Sequence, residues 1–128
     1  MIPHLKPLET ENPLTQTFAD ELKASGFGGD IHLDSASRLA VATDNSIFQI
    51  LPELVICPKE ENDVIKTMKL MAKDRFKNFN LTPRGGGSGT NGQSLNHGVV
   101  MDFSRHMTNI LEINTEENYA IVEAGVVL

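Results

Sequence analysis

Cysteine is nearly absent from this chain: Cys57 stands alone among 128 residues. An internal disulfide is therefore excluded, which fits a reducing compartment. No apolar run approaches the roughly 20 residues of a membrane span. The opening Met1-Ile2-Pro3-His4-Leu5-Lys6-Pro7 lacks the apolar stretch of a signal peptide, so a cytoplasmic location is expected. Basic residues are few. Eleven Lys and Arg face 17 Asp and Glu, for a net charge of −6 and a pI near 5.1. That balance argues against nucleic acid or anionic membrane surfaces as partners. No Ser/His/Asp set is present. His4, His32, His97 and His106 fall far apart without a carboxylate at metal-ligand spacing, so neither a catalytic residue nor a metal site is expected. The length suits one domain with a modest core, and internal repeats are lacking.

Glycine, by contrast, is concentrated. Five of the ten glycines fall within Pro83-Arg84-Gly85-Gly86-Gly87-Ser88-Gly89-Thr90-Asn91-Gly92. Removing so many Cβ atoms frees the backbone and bares consecutive N–H groups, which can form a concave anion site. Ser88 and Thr90 add hydroxyl donors and Arg84 a forked guanidinium. A diphosphate suits such a loop. The competing reading is a plain connector, since glycine clusters also mark turns. For Arg84 the alternatives are a ligand contact or closure of the loop on a main-chain carbonyl. Neither the Walker pattern nor the Rossmann fingerprint fits: there is no Gly-Lys-Ser/Thr ending and no helix opening on the glycines. The loop is expected to lie between two strands.

The flanks divide as follows. Residues 1–12 read as a proline-punctuated extended arm. Leu14, Phe18, Leu22 and Ala24 recur at helical spacing before Gly26, Gly28 and Gly29. Asp34-Ser35 caps a second short helix carrying Leu39, Ala40 and Val41, and Asp44, Asn45 and Ser46 supply turn chemistry. Leu54-Val55-Ile56-Cys57 is continuous and apolar, as a strand covered on both faces is, with Cys57 a buried small hydrophobe. Glu60-Glu61-Asn62-Asp63 opens a helix whose far end gathers Lys69, Lys73, Arg75 and Lys77, the polarity its dipole favours. Its expected apolar stripe is Val64, Ile65, Met68, Met71 and Ala72, the methionines filling core. A strand precedes the glycine loop and another, Val99–Phe103, follows it; strands joined through a helix prefer parallel pairing. Asp102 and Arg105 read as a local ion pair or turn cap. Ile110–Ile113 and Tyr119–Gly125 alternate as two hairpin strands around Asn114–Asn118.

The loop, followed by Gly98-Val99-Val100-Met101-Asp102-Phe103-Ser104-Arg105, resembles the pyrophosphate-binding loop of FAD-linked oxidoreductases of the vanillyl-alcohol oxidase and p-cresol methylhydroxylase family. Leu51–Pro58 resembles that family's first strand, and Val122-Glu123-Ala124-Gly125-Val126 a later glycine-containing segment. Within the family, the D-lactate, glycolate and D-2-hydroxyglutarate dehydrogenases are most similar. The resemblance implies an α+β fold: the first lobe of a p-cresol methylhydroxylase-type FAD-binding domain, a small mixed sheet with helices packed on it, preceded by a short helical segment. The implied division is 1–50 for the arm and helical segment and 51–128 for the lobe, truncated at its end. Arg84, Gly85, Gly86, Gly87, Ser88, Gly89, Thr90, Asn91 and Gly92 occupy the family's cofactor positions, with the N–H groups of Gly85, Gly86, Gly87, Gly89 and Thr90 as phosphate donors. Covalent flavoproteins of the superfamily carry histidine where Ser88 stands, so dissociable FAD is implied.

The resemblance further implies a parent enzyme that oxidises a D-2-hydroxy acid, of which this chain is an inactive, cofactor-gripping fragment. Apolar surface left exposed would promote its self-association. Two other readings stay open from the residues themselves: a standalone nucleotide- or phosphate-binding module without catalysis, and a structural domain whose glycine loop only connects.

Overall fold

A computed structural model describes residues 12–127; the expected extended arm lies almost wholly outside them. The element order is α1 (Pro13–Ala24), β1 (Asp30–His32), α2 (Ser35–Ala40), β2 (Leu54–Cys57), α3 (Glu61–Met71), β3 (Leu81–Arg84), β4 (Val99–Asp102), β5 (Ile110–Asn114) and β6 (Tyr119–Val122). A single 3-10 turn, Asp74–Phe76, follows α3. This is the small mixed sheet with packed helices that the resemblance implied.

The main sheet has the order β1-β2-β4-β3. β2 and β3 both pair parallel to β4, which lies between them, while β1 joins antiparallel to β2. The parallel expectation therefore holds through β4 rather than by direct pairing of β2 with β3. β1 is an addition: Asp30-Ile31-His32 is too short and too polar to announce itself as a strand.

Because side chains alternate along a strand, each central strand feeds both faces of the sheet. Leu54, Ile56, Val99 and Met101 pack with Phe18, Leu22, Leu70 and Phe76 in one buried cluster. Val55, Cys57 and Val100 pack with Val41 in a smaller one on the other face. Phe18 meets Phe76 edge-on at 5.1 Å between ring centroids, and Phe79 closes the group. This T-shaped arrangement suits the ring quadrupoles.

The helices begin where the sequence placed them. Asn12 caps α1 by accepting from Leu14 N, and Pro13 takes the first helical position. Asp34 caps α2 through Ser37 N. In α3, however, the buried face is one position away from the expected stripe. Asp63, Thr67 and Leu70 are buried, with Val64 and Met71 packed at the margin. Ile65 and Met68 are 41% and 52% exposed, so Met68 does not fill the core. The cause is hydrogen bonding rather than hydropathy. Asp63 receives the amides of Gly28 at 2.8 Å and Lys59 at 3.0 Å, which fixes that side of the helix inward. The helix stops at Met71, so of the expected basic end only Lys69 lies in its last turn; Lys73 and Arg75, at the 3-10 turn beyond it, both bind Glu21 of α1 instead.

Candidate functional site

β3 ends at Arg84 beside β4, and Phe103 N donates to Arg84 O at 2.9 Å. The chain then leaves the sheet, bends over Gly85–Gly87 and again over Thr90–Gly92, and returns to β4 at Val99. This is the strand-to-strand loop expected from the sequence. Three amides later in the loop are satisfied internally: Asn91 N by the Gln93 side chain, Leu95 N by Gly92 O and Gly98 N by Asn96 Oδ1. Between Gly85 and Thr90 they are not. The N–H groups of Gly85, Gly86, Gly87, Ser88, Gly89 and Thr90 donate to no acceptor among the described residues. Main-chain donors are strong, obligatory hydrogen-bonding groups. Six in succession without a protein acceptor are donors of the type that anion sites use. Ser88 N belongs to this set, although glycine content alone directs attention to its neighbours.

The glycines divide into two groups by what their missing side chains would touch. Gly87 has φ +66, and a Cβ there would lie 2.3 Å from a guanidinium nitrogen of Arg84. Gly92 has φ +75, and its Cβ would stand 3.0 Å from Phe48 Cδ2. Both are required by the chain's own geometry. Gly85 and Gly86 are not. Neither has a positive φ, and Cβ atoms there would have their nearest neighbours at 3.8 and 3.9 Å. A group seated on main-chain N–H atoms needs clearance of this kind.

Arg84 points elsewhere. Its guanidinium donates to Thr43 O at 3.0 Å, Ser94 Oγ at 3.2 Å and, weakly, Val41 O at 3.5 Å. Of the two roles open to it from sequence, the structure displays closure on carbonyls. Ser94 Oγ donates onward to Asp44 at 3.2 Å, and Asn45 reaches Ser88 O at 3.4 Å. Hydrogen bonds from Ser46, assisted by Ser94 and the Arg84 charge, hold the Asp44 carboxyl below its usual range. The stretch 43–48 is thus a strap lashed to the glycine loop. A lysine at position 84 cannot reproduce the fork. Arg84→Lys is expected to lower unfolding free energy by about 1–2 kcal/mol, read from urea denaturation midpoints at unchanged slope.

A second constellation lies on β1. His106 and Arg105 contact Asp30 at 2.7 and 3.1 Å, and donor atoms of Asp30, His32 and Cys57 come within 4.8 Å of one another. The histidines are therefore not all isolated, as their sequence separation suggested. Antiparallel pairing of Asp30 with Cys57 brings His32 and the 104–107 turn together. The His106 hydrogen bond, with the nearby positive charges, keeps the Asp30 carboxyl below its usual range. Burial, reinforced by Asp102 and Asp30, pushes the Cys57 thiol up to about 11, so it is no nucleophile near neutrality. Asp102 caps the turn through Ser104 rather than pairing with Arg105. A groove of about 460 Å³ opens between α1 and β1, lined by Gln16, Asp20, Lys23 and Phe27 among others. It lies at the opposite edge of the sheet from β3 and the glycine loop. Among the described residues, no helix is long and apolar enough to cross a membrane.

Comparison with known proteins bears on the family and the fold. Residues 52–128 match the FAD binding domain family. A D-2-hydroxyglutarate dehydrogenase of Pseudomonas putida is 54% identical over 110 residues, covering 86% of this chain and 11% of that protein. The chain thus spans only about an eighth of the length of such relatives, which bounds what it does by itself. Among solved structures, alkyldihydroxyacetonephosphate synthase superposes with a TM-score of 0.71 at 22% identity, over 96% of this chain and 24% of that one. p-Cresol methylhydroxylase with substrate bound gives 0.66 at 15% identity, over 90% and 23%. The fold is shared with these structures, and by its match over residues 52–128 the chain belongs to the FAD binding domain family.

Proposed function

We propose that the amides of Gly85–Thr90 bind the pyrophosphate of FAD without a covalent link, within a protein that oxidises a D-2-hydroxy acid. The single observation that carries this is the run of six N–H groups without a protein acceptor among the described residues, beside two glycines where a Cβ would meet nothing closer than 3.8 Å. The loop's side chains, Ser88, Thr90 and Asn91, offer hydroxyl and amide groups rather than the histidine a flavin linkage at this position would use. The substrate class rests on the names of the relatives, the D-2-hydroxyglutarate dehydrogenases. FAD, when bound, supplies the hydride-accepting chemistry. This chain's part is to hold the charged bridge with donors fixed before the ligand arrives, so little reorganisation is needed on binding.

Each charge-assisted bond contributes about 1.5–3 kcal/mol, whereas a nanomolar complex needs about 12. After association costs, the loop by itself does not reach that affinity. The 128-residue chain is accordingly expected to bind FAD weakly and to turn over no hydroxy acid. A longer polypeptide carrying it is expected to purify yellow and to lose its flavin absorbance when given D-2-hydroxyglutarate without oxygen. Calorimetry and anaerobic spectroscopy make the comparison. Submicromolar binding by the short chain contradicts the affinity argument, and a colourless longer protein that takes up no FAD contradicts the assignment.

A further inference from the structure

Ile47 is 95% exposed and Phe48 51% exposed, although both are large apolar side chains on the strap that Arg84 holds. Exposed hydrophobics on a loose loop would mean little. These are not loosely held. Phe48 N donates to Ser46 Oγ, Ser46 N to Asp44 Oδ1, and Asp44 is tied through Ser94 to Arg84. An isolated bridge joins Thr43 to Gln49 around the same turn. The Phe48 ring rests against Gly92, close enough that a methyl group there would crowd it. A phenylalanine ring therefore stands half in solvent at the far end of the loop whose near end presents the free amides. The loop's glycine at position 92 and its positive φ are what let the ring come so close.

The geometry points to the strap 43–48 as a second wall of the FAD site, with Phe48 offering its ring to a flat heteroaromatic ring of the dinucleotide. This rests on the pyrophosphate reading above. With the bridge on Gly85–Thr90, a ring system at one end of it reaches the Gly92 end of the loop, where Phe48 gives it an apolar surface. Stacking requires only a π-face on each side. Because the strap is tied to the loop by Arg84, ring and amides are fixed relative to each other before the cofactor binds.

The test uses the full-length polypeptide carrying this chain, stripped of flavin, with FAD, FMN and ADP as probes. Phe48→Ala and Phe48→Leu are each expected to weaken FAD about tenfold, with Phe48→Tyr restoring it. Phe48→Leu keeps apolar bulk against Gly92, so an affinity loss at an unchanged melting temperature assigns the effect to the ring itself. Selective weakening of FMN, with altered flavin fluorescence, places the isoalloxazine on Phe48; selective weakening of ADP places the adenine there. If both variants bind FAD like the parent while Gly86→Val does not, the strap proposal is overturned and the pyrophosphate reading stands. If neither the Phe48 variants nor Gly86→Val change affinity, both fall.

Discussion

Gly86→Val abolishes measurable FAD binding by the full-length protein while its unfolding midpoint stays within experimental error of the parent. The expectation follows from what surrounds Gly86. A Cβ there meets nothing closer than 3.9 Å, and φ is not in the left-handed region, so the folded chain tolerates the side chain. The free N–H groups of Gly85–Thr90 are then screened by branched carbon on the side from which an anion must come. Losing two charge-assisted bonds of about 1.5–3 kcal/mol each corresponds to at least about a hundredfold in affinity. Gly87→Val makes the contrast. Position 87 has φ +66 and lies against the Arg84 guanidinium, so a side chain there strains the backbone and breaks the strap's anchor. It is expected to lower stability and affinity together. Two adjacent glycines with opposite stability outcomes separate a ligand surface from a packing requirement, which spectral titration and urea melts read independently.

Asp63→Ala is expected to lose about 3–5 kcal/mol of unfolding free energy, the largest effect on stability of any side-chain truncation proposed for this chain. Asp63 is fully buried. Its carboxylate accepts from Gly28 N and Lys59 N, and Lys66 approaches to 3.8 Å. Removing it strands two main-chain donors, each costing about 1–3 kcal/mol, while Lys66 keeps its hydrogen bond to Gly26 O at 2.6 Å. Against a total stability of about 5–15 kcal/mol, that loss brings the domain near its folding threshold. Asp63→Asn retains one acceptor oxygen and should recover part of the difference. Denaturant unfolding decides it: a loss below about 1 kcal/mol for the alanine variant would mean that the two amides find other partners. Because Asp63 anchors α3 and the turn before β1, far from the glycine loop, flavin affinity in the surviving folded fraction should be unchanged.

What could be read from the residues follows from how each element is stabilised. β2, α1, the start of α3, β4 and the β5–β6 hairpin all announce themselves through apolar patterning, caps or turn residues, and they stand where those signals put them. The hairpin turn is an example: Asn114 Oδ1 accepts from Glu116 N and Glu117 N, and Asn118 adopts φ 57, a left-handed position asparagine tolerates. Features set by long-range polar contacts were not legible. The inward turn of Asp63 and Thr67 depends on amides 35 residues away in sequence, at Gly28. β1 exists because Asp30–His32 found an edge on β2, not because it reads as a strand. The insertion of β4 between β2 and β3 is a matter of topology that periodicity does not encode.

The site was legible in the same uneven way. Bare glycines advertise open amides, so Gly85–Gly92 could be singled out before any coordinates. Nothing in the sequence distinguishes Gly85 and Gly86, where a Cβ would make only ordinary van der Waals contact, from Gly87 and Gly92, which make room for Arg84 and Phe48. Nor does it say which of two chemically reasonable tasks Arg84 performs. The guanidinium's turn toward Thr43 and Ser94 is visible only when residues 41–44 are brought alongside β3, and the strap itself follows from that contact. The exposed faces of β5 and β6, where Ile110, Leu111, Ile113 and Ile121 are all exposed, match the expectation of uncovered apolar surface.

The most direct measurement is an amide-resolved titration of the isotope-labelled chain with ADP, which carries the diphosphate without the flavin. The resonances of Gly85, Gly86, Gly87, Ser88, Gly89 and Thr90 should move together along one saturating curve, while the Arg84 Nη–H groups, already engaged by Thr43 O and Ser94 Oγ, stay in place. Shifts confined to other parts of the chain, with those six amides unmoved at saturating ligand, would contradict the account.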